Sequence, residues 1–303
     1  MLSGIDHDHG LITLAAFRDL IAARGTDYPH LFAFASNAGL RTGRDMTGDG
    51  RSDTPDDTQG YGPYRGAKAL AVLSRFPVAL ERARDFSGFL WRDLPGALLP
   101  DIPAGALAIQ RLSSTGHWDV PVQIARDQIL HLLVYQAGPP VFGGANNRNR
   151  LRNHDETAFW LRLLDGELPM PAPEDPFVLL GGSNLDPEDG DGLHQAMRSL
   201  LAHPALQDPR PTSPGAALAA TDDRNADHRS PPERDTVHWP QIPGPGNLRV
   251  SYILPAHDLR ISDAGVFWPT PDSPEAALLG DPDDPPTRHR MVWVDIETGS
   301  LAD

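Results

Sequence analysis

The chain has 303 residues, of which 40% are hydrophobic and 22% charged, so it can bury a core as one large domain or two small ones. Its formal net charge of −15 repels polyanions, which disfavours high-affinity nucleic-acid binding unless bound cations reverse the sign locally. Because it contains no cysteine, disulfides, thiolate metal sites and cysteine nucleophiles are excluded. No apolar run reaches about 18 residues, so no membrane span is predicted.

The hydrophobic pattern predicts a mostly strand-like chain with few helices. An amphipathic helix is predicted over 11–24, followed by strands over 31–36, 69–74, 106–112, 122–124, 129–134, 177–180, 248–254 and 290–296. Further helices are predicted over 154–164 and 193–203. Such an order favours an α+β or α/β sandwich, in which two sheets pack together between helices.

The segment 204–245 differs in composition from the rest of the chain. It is rich in Pro, Asp and Arg and poor in large apolar residues. It is therefore predicted to be a long loop or a partly disordered insert.

The acidic loop DMTGDGRSDTPDD, residues 45–57, has the spacing of a calcium-binding loop. Its oxygen-bearing side chains and its central glycine fall at the right intervals, with Asp in place of the final bidentate Glu; the candidate ligands are Asp45, Thr47, Asp49, Asp53 and Asp56. The alternative interpretation is a solvated acidic loop, because Asp and Gly are common in loops. No flanking helices are predicted, so a calcium site here would lie in a connection.

The strand 177–180 leads into Gly181, Gly182, Ser183 and Asn184 and then into acidic residues. A strand often delivers chemical groups to the rim of a sheet in this way. Metal-assisted phosphoester hydrolysis would require a carboxylate directly after the first glycine. Gly182 stands at that position.

Nine short segments occur in a characteristic order along the chain: LSGIDHD (2–8), GDGRSDTPDD (48–57), AKALAVLSRFPV (67–78), LSSTGHWDVPV (112–122), NRNRLRNHDETAFW (147–160), LLGGSNLDP (179–187), NLRVSYILP (247–255), GVFWP (265–269) and TRHRMVWVDI (287–296). Taken together, they resemble the endonuclease/exonuclease/phosphatase superfamily, in particular its bacterial branch of metal-dependent phosphoesterase-like proteins. The resemblance implies an α+β fold, a four-layer α/β/β/α sandwich of two mixed β-sheets flanked by helices. A single domain would then span 1–303.

In active members, Asn, Glu, Asp and His residues bind Mg²⁺ or Mn²⁺ and support in-line displacement at phosphorus. Carried over residue by residue, the resemblance places Gly4 at a metal-binding Glu and Gln136 at a His. Positions of catalytic Asp residues are occupied by Gly182, Ser251 and Arg288. A hard divalent cation needs several converging oxygen ligands, and these substitutions remove them. The site is therefore predicted to be degenerate.

Asn184 and His289 remain at family positions. Asn184 fits either a phosphate contact or an ordinary turn, and His289 fits either the site or a structural hydrogen bond at a strand end. Further candidates for the cleft are His117, Asp119, Asn153, Asp155 and Asp6. The candidates for a substitute metal site are Asp6, Asp8, Asp186 and Asp189. For each of them a structural role is the alternative; Asn153, for example, fits a helix N-cap.

The resemblance also implies a strand with an Asn before Met1, so either the chain is N-terminally incomplete or the fold has lost an interior strand. The first is expected, because loss of a central strand would expose a long sheet edge. A preceding signal peptide would be missing with that strand, and the family suggests an extracytoplasmic location that this N-terminus cannot test.

Three hypotheses about function follow. The first is a degenerate family member in which catalysis is lost and an acidic cleft serves binding. The second is an active, altered phosphoesterase in which His289 and Asn184 contact phosphate and Mg²⁺ or Mn²⁺ is bound elsewhere. The third is a calcium-stabilised structural or binding module.

Overall fold

The structure is a computed structural model that describes residues 1–7, 11–221, 223–239, 244–281 and 284–297. Its helices are α1 (Ile12–Ala22), α2 (Ala104–Leu107), α3 (Arg148–Leu164), α4 (Gln195–Leu201) and α5 (Pro214–Ala219). Its strands are β1 (Leu2–Ile5), β2 (His30–Phe32), β3 (Ala69–Ser74), β4 (Arg84–Asp85), β5 (Gly116–Ala125), β6 (Gln128–Gln136), β7 (Phe177–Gly182), β8 (Val237–Trp239), β9 (Gly246–Leu248), β10 (Ser251–Pro255), β11 (Ile261–Phe267) and β12 (Met291–Ile296).

Two larger sheets organise the described chain. The first has the order β1-β3-β2 and is antiparallel. The second has the order β10-β7-β6-β5-β4, with β6 and β7 parallel and every other neighbouring pair antiparallel. Because parallel strands need a crossover, the chain passes through α3 between β6 and β7. The pairs β8–β9 and β11–β12 form separate two-stranded sheets.

The two larger sheets are joined by a hydrophobic cluster. Phe32, Leu70 and Val72 of the first sheet belong to it together with Trp118, Val120 and Val134 of the second. On the opposite face of the second sheet a larger cluster includes residues of α3 and α4, among them Phe159, Trp160, Leu163, Met197 and Leu200. The α+β architecture predicted from the sequence is confirmed.

The face that each residue of β6 occupies follows the two-residue period of a strand. Leu133 and Tyr135 belong to the cluster shared with the helices, whereas Val134 belongs to the cluster between the sheets. Gln136 has the parity of Val134, so the last residue of β6 lies on the inter-sheet face.

Several predicted elements differ from the structure, among them the strand over 31–36, which ends at Phe32, and the strand over 248–254, which is divided between β9 and β10. The strand predicted over 106–112 is wrong: Pro103 and the small residues after it begin the short helix α2 instead. The third helix begins at Arg148 with Asn147 at its N-cap position, so Asn153 lies inside the helix.

The segment 204–245 contains regular structure within its described residues. It includes α5 and β8, and Ser213, Ala216 and Thr236 are buried. Ser213 caps α5, since its side chain accepts a hydrogen bond from the Gly215 amide.

Candidate functional site

Three of the substituted positions lie side by side at one end of the five-stranded sheet. Gln136 of β6 pairs with Gly182 of β7, and Gly182 pairs with Ser251 of β10. The three residues therefore form a row across adjacent strands, called here the 136–182–251 row. Gln136 contributes a side-chain amide and Ser251 a hydroxyl, while Gly182 has no side chain. The row therefore contains no carboxylate.

Gln136 and Gly182 are coupled sterically. A Cβ atom built on Gly182 would lie 2.3 Å from Oε1 of Gln136, closer than non-bonded atoms approach. The Gln136 amide thus occupies the space in which a carboxylate side chain at 182 would begin. Its own Nε2 donates to the carbonyl of Ala137 at 3.3 Å.

Asn184 has a clear role in the turn that follows β7. Its backbone is left-handed, with φ of 50°, a conformation that Asn tolerates better than most residues. Its Nδ2 donates to the Ala137 carbonyl at 2.8 Å, which ties the end of β7 to the end of β6. Asn184 therefore lies beside the 136–182–251 row, with its amide donor engaged by the backbone.

His289 precedes β12 and forms an isolated bridge with Val237 of β8. Its ring lies edge-on to Trp239, with ring centroids 5.7 Å apart. Although the residue is exposed, partial desolvation and the charge of the adjacent Arg290 lower the pKa of its imidazole. The neutral ring is consequently favoured near pH 7.

Hydrogen bonds of Thr236 connect the segment that contains His289 to the 136–182–251 row. The Thr236 hydroxyl accepts hydrogen bonds from the amides of Val250 and Ser251, at 2.9 and 3.1 Å. The Thr236 carbonyl accepts from the amide of Arg290 at 2.8 Å. Arg288 continues this pairing, because its carbonyl accepts from the His238 amide at 3.0 Å.

Gly4 and Asp6 belong to the other large sheet and the turn after β1. Gly4 has φ of 76°, which glycine adopts readily, and open space surrounds the position of a Cβ atom. Asp6 accepts hydrogen bonds from the Lys68 amide at 2.8 Å and from the Tyr64 hydroxyl at 2.5 Å. Chiefly the Lys68 amide, and then the Tyr64 hydroxyl, lower the Asp6 pKa. Asp8 lies outside the described residues.

The candidates on α3 are buried beneath the neighbouring loops. Asn153 donates from Nδ2 to the carbonyls of Gly138 and Ser183, both at 2.7 Å. Asp155 accepts from Nε1 of Trp91 and from the Leu98 amide, also at 2.7 Å. Both side chains fix backbone segments in place.

His117 and Asp119 of β5 lie on the helix-facing side of the second sheet. The His117 ring stacks on Trp160, with centroids 5.4 Å apart, and its Nε2 bonds to the Glu156 carbonyl at 2.9 Å. Burial lowers its pKa to about 4. Asp119 is fully buried and bonds to Arg84 and His131.

Sequence reasoning missed Glu156, a buried carboxylate that supports this end of the sheet. It accepts hydrogen bonds from the amide and hydroxyl of Ser114, at 2.6 and 2.7 Å, and from the Gly138 amide at 2.8 Å. Burial raises its pKa, although the charge of Arg152 and these donors oppose the rise. The signal in the sequence was its position one helical turn after Arg152 and Asn153, which places all three on one side of α3.

The acidic residues after β7 also hold backbone. Asp186 accepts from the amides of Glu188, Asp189 and Arg249, at 2.8 to 2.9 Å, and from the Ser230 hydroxyl at 3.0 Å. Asp189 accepts from the Ser230 amide at 2.8 Å. These contacts connect the β7 loop to the segment before β8.

Asp235, next to Thr236, was also missed. It is buried and accepts no hydrogen bond from a described residue. Burial, reinforced by Asp186 and Asp189, raises its pKa to about 8, so the protonated form predominates at pH 7. A neutral carboxyl group is a poor ligand for a hard cation.

The 45–57 loop is organised by its first residue. Asp45 accepts from the amides of Thr47, Gly48 and Gly50, at 2.6 to 3.1 Å, and these amides lower its pKa. Asp49 accepts from the Arg51 amide at 2.9 Å. These side chains satisfy loop amides.

The other candidates in this loop point to separate partners. Asp53 faces Arg51 across 3.6 Å, while Asp57, outside the predicted ligand set, accepts from the amides of Met46 and Thr54. Asp56 is exposed. The described contacts do not gather these carboxylates around one point.

The described residues do not fit a divalent-metal centre. Within 1–7, 11–221, 223–239, 244–281 and 284–297, no group of three or more His, Asp or Glu side chains is arranged to hold a metal ion. At the 136–182–251 row this follows from the residue types, because no anionic oxygen is present there.

Comparison with known proteins identifies the family. The model of the Endonuclease/Exonuclease/phosphatase family matches residues 6–294. The chain belongs to the endonuclease/exonuclease/phosphatase family. Family members generally depend on divalent metal ions. No curated protein sequence matches the chain.

One solved structure of the family shows the same fold, and others are similar to parts of this chain. An endonuclease/exonuclease/phosphatase from Beutenbergia cavernae matches with a TM-score of 0.50 and 17% identity, over 93% of this chain and 56% of that one. This chain thus spans little more than half of that relative. A family protein from Leptotrichia buccalis gives 0.47 and 14% identity, over 98% and 83%. Sphingomyelinase C from Streptomyces griseocarneus gives 0.40 and 16%, over 95% and 77%.

Within the family fold, the structure brings together only part of the predicted site. Gln136, Gly182, Ser251 and Asn184 meet at the ends of β6, β7 and β10. His289 and Arg288 join them through Thr236 and β8. Among the remaining candidates, Asn153, Asp155, Asp186 and Asp189 hold backbone segments in place. In the described part of the chain, no helix has the length and apolar character needed to cross a membrane.

Proposed function

We propose that this chain is an endonuclease/exonuclease/phosphatase-family protein that has lost metal-dependent phosphoester hydrolysis and retains the fold for binding. One observation carries the proposal: the Gln136 amide occupies the space above Gly182, where a carboxylate would have to begin. Position 182 thus lacks the carboxylate that would bind a metal ion, and the Gln136 amide fills the space of that side chain. The match over 6–294 supports one domain for the whole chain.

The chemistry of the row supports the same conclusion. A divalent ion at this position would stabilise charge on a transferring phosphoryl group and lower the pKa of a bound water. The row supplies an amide and a hydroxyl oxygen as possible ligands, and neither is anionic. Arg288 and Arg290 add positive charge near His289, which disfavours a cation there.

The test is hydrolysis of p-nitrophenyl phosphate and bis-p-nitrophenyl phosphate by the purified chain with Mg²⁺, Mn²⁺ or Ca²⁺. We expect no turnover above that of a His289→Ala variant. Metal-dependent turnover that disappears in His289→Ala would overturn the proposal and favour the altered enzyme, in which His289 and Asn184 contact phosphate. Turnover that is equal in both proteins would point to a contaminating hydrolase, which repurification through a second affinity tag would remove.

A variant with restored family residues tests whether the absence of hydrolysis reflects loss of the metal site or a failure of the assay to detect activity. Gly182→Asp combined with Gln136→His returns two family residue types to adjacent strands, and Ser251→Asp adds a third. We expect this triple variant to acquire Mn²⁺-dependent quenching of tryptophan fluorescence that the natural chain lacks. Equal quenching in both proteins would mean that the natural chain already holds the ion.

A further inference from the structure

The segment 229–236, which leads into β8, is held by two carboxylates of the β7 loop. Asp189 accepts hydrogen bonds from the amides of Arg229 and Ser230, at 2.9 and 2.8 Å. Asp186 accepts from the Ser230 hydroxyl at 3.0 Å. Both carboxylates are buried, so they join two distant parts of the chain inside the protein.

Asp235 is a third buried carboxyl group in this region. It is 3% exposed and accepts no hydrogen bond from a described residue. The hydroxyl of Thr236, the next residue, accepts from the Val250 amide at 2.9 Å, while the Arg249 amide donates to Asp186 at 2.8 Å. Asp235 and Asp186 therefore adjoin the same short stretch of backbone.

The cations near these three carboxyl groups are engaged elsewhere. Arg249 directs both of its Nη atoms to Asp208, at 2.6 and 2.8 Å. The Arg229 guanidinium donates to the Glu188 carbonyl at 3.1 Å. In the described part of the chain, no ion pair offsets a charge on Asp235. The other titratable groups in this region are His194, Arg198, His228, Glu233 and Arg234.

The hydrogen bonds decide which of the three carboxyl groups carries a proton. Donors stabilise an ionised carboxylate, and Asp186 and Asp189 both accept from backbone amides. Asp235 has no such donor. Burial, and then the charges of Asp186 and Asp189, raise its pKa to about 8. Burial also raises the pKa of Asp186, but four hydrogen bonds oppose that rise, so the proton resides on Asp235.

We propose that Asp235 is a proton-dependent switch, which holds the segment 229–236 against the β7 loop while it is protonated and releases the segment when it ionises. A charge on Asp235 would repel Asp186 and Asp189, the two acceptors that hold the segment. Thr236 connects the same segment to Ser251 of the 136–182–251 row, so ionisation would loosen this contact too. The switch is independent of the proposed loss of hydrolysis, because none of its carboxyl groups belongs to the row.

The direction of the pH effect follows from the pKa of Asp235 in the two states. It is about 8 in the closed state and returns to about 3.9 when the released side chain is solvated. Between these values the released state binds fewer protons, so the closed state loses stability as the pH rises, and the loss levels off above about pH 8. Between pH 6.5 and 9.0 the population of the released state should rise about 30-fold.

The experiment is limited trypsin digestion of the purified full chain at pH 6.5 and 9.0, with the initial rate of each cleavage measured by mass spectrometry. Cleavage after Arg229 requires release of the segment, because the Arg229 and Ser230 amides are bound to Asp189. Cleavage after Arg51, in the exposed 45–57 loop, corrects for the pH dependence of trypsin itself. We expect the ratio of these two rates to rise about 30-fold. A constant ratio would overturn the proposal.

Two variants assign the effect to Asp235. Asp235→Asn replaces the carboxyl group by a neutral group of the same shape, so the ratio should stay constant between the two pH values. Asp227→Asn, an exposed change nearby, is the matched control and should keep the rise. A full rise in Asp235→Asn would contradict the assignment. Equal rates after Arg229 and Arg152 would also contradict it, because Arg152 is buried in α3 and becomes accessible only on global unfolding.

Discussion

At the carboxyl ends of β6 and β7 the chain carries Gln136 and Gly182, whereas near the amino end of β6 it carries His131 bonded to Asp119. At the first end the side chains are neutral, and the Gln136 amide occupies the space above Gly182. The second keeps a buried carboxylate that is paired with Arg84 and His131. One end of the strand is thus held by neutral side chains, and the other by a buried charge that is retained because it is paired.

The largest expected effect on stability comes from removing the Asp119 charge near the amino end of β6. Asp119→Ala leaves Arg84 and His131 without their shared partner in a buried environment, so we expect a loss of about 3–5 kcal/mol in the free energy of unfolding. Gln136→Ala, at the carboxyl end, should cost about 1 kcal/mol or less, since it removes one long hydrogen bond. Urea denaturation of both variants measures the difference. Similar losses would remove the contrast between the two ends.

The next effect is a dependence of stability on pH that arises from His117. Its folded pKa of about 4 lies below its unfolded value, so the unfolded state binds more protons between about pH 4 and 6.5. Stability from this group is therefore complete above about pH 6.5 and falls by about 3 kcal/mol as the pH drops to 4. His117→Phe should flatten the pH profile by that amount in chemical denaturation. An unchanged slope, or equal flattening by the exposed His257→Gln, would contradict the assignment.

A smaller effect tests the steric coupling in the 136–182–251 row. Gly182→Asp alone should destabilise the chain by about 0.5–1.5 kcal/mol, because the Gln136 amide must rotate away from the new Cβ atom. Adding Gln136→Ala should recover about half of that loss, giving a favourable coupling energy in a double-mutant cycle. Additive effects would mean that the amide does not occupy the space of the lost carboxylate.

The smallest expected effect concerns calcium and the 45–57 loop. Asp45 already binds the Gly48 and Gly50 amides, so we expect about 1 mM Ca²⁺, enough to occupy an extracellular-type site, to leave the melting temperature unchanged. A rise that disappears in Asp49→Asn would instead establish the calcium-stabilised module. Mg²⁺ at the same concentration controls for ionic strength.

Strong local patterns in the sequence predicted two buried strands closely. The run 69–74 is a strand with the predicted bounds, and 177–180 extends by only two glycines. The family resemblance placed Gln136, Gly182 and Ser251 at one site, and their strand pairing brings them together. Patterns over 106–112 failed because Ala and Leu serve helices as readily as strands, and Pro103 starts a helix.

The rest depended on pairing between distant segments. Asp119 and His131 meet because β5 and β6 are joined at Ala125 and Gln128 by a short turn, a register that hydrophobic pattern alone leaves open. Asn153 fits a helix cap in the sequence because the residues 148–152 before it are mostly polar, although they form the start of α3. Asp235 became buried through tertiary contacts that no local window contains.

The parallel pairing of β6 with β7 affects how the molecule opens. β6 is hydrogen-bonded on both sides, and Leu133 and Val134 are fully buried. Releasing β6 requires separation from β5 and β7 and loss of the packing against α3, which amounts to global unfolding. Amide hydrogens at the centre of β6 should thus exchange with solvent at the slowest rate, while those of β11 and β12, a two-stranded ribbon, exchange through local fraying.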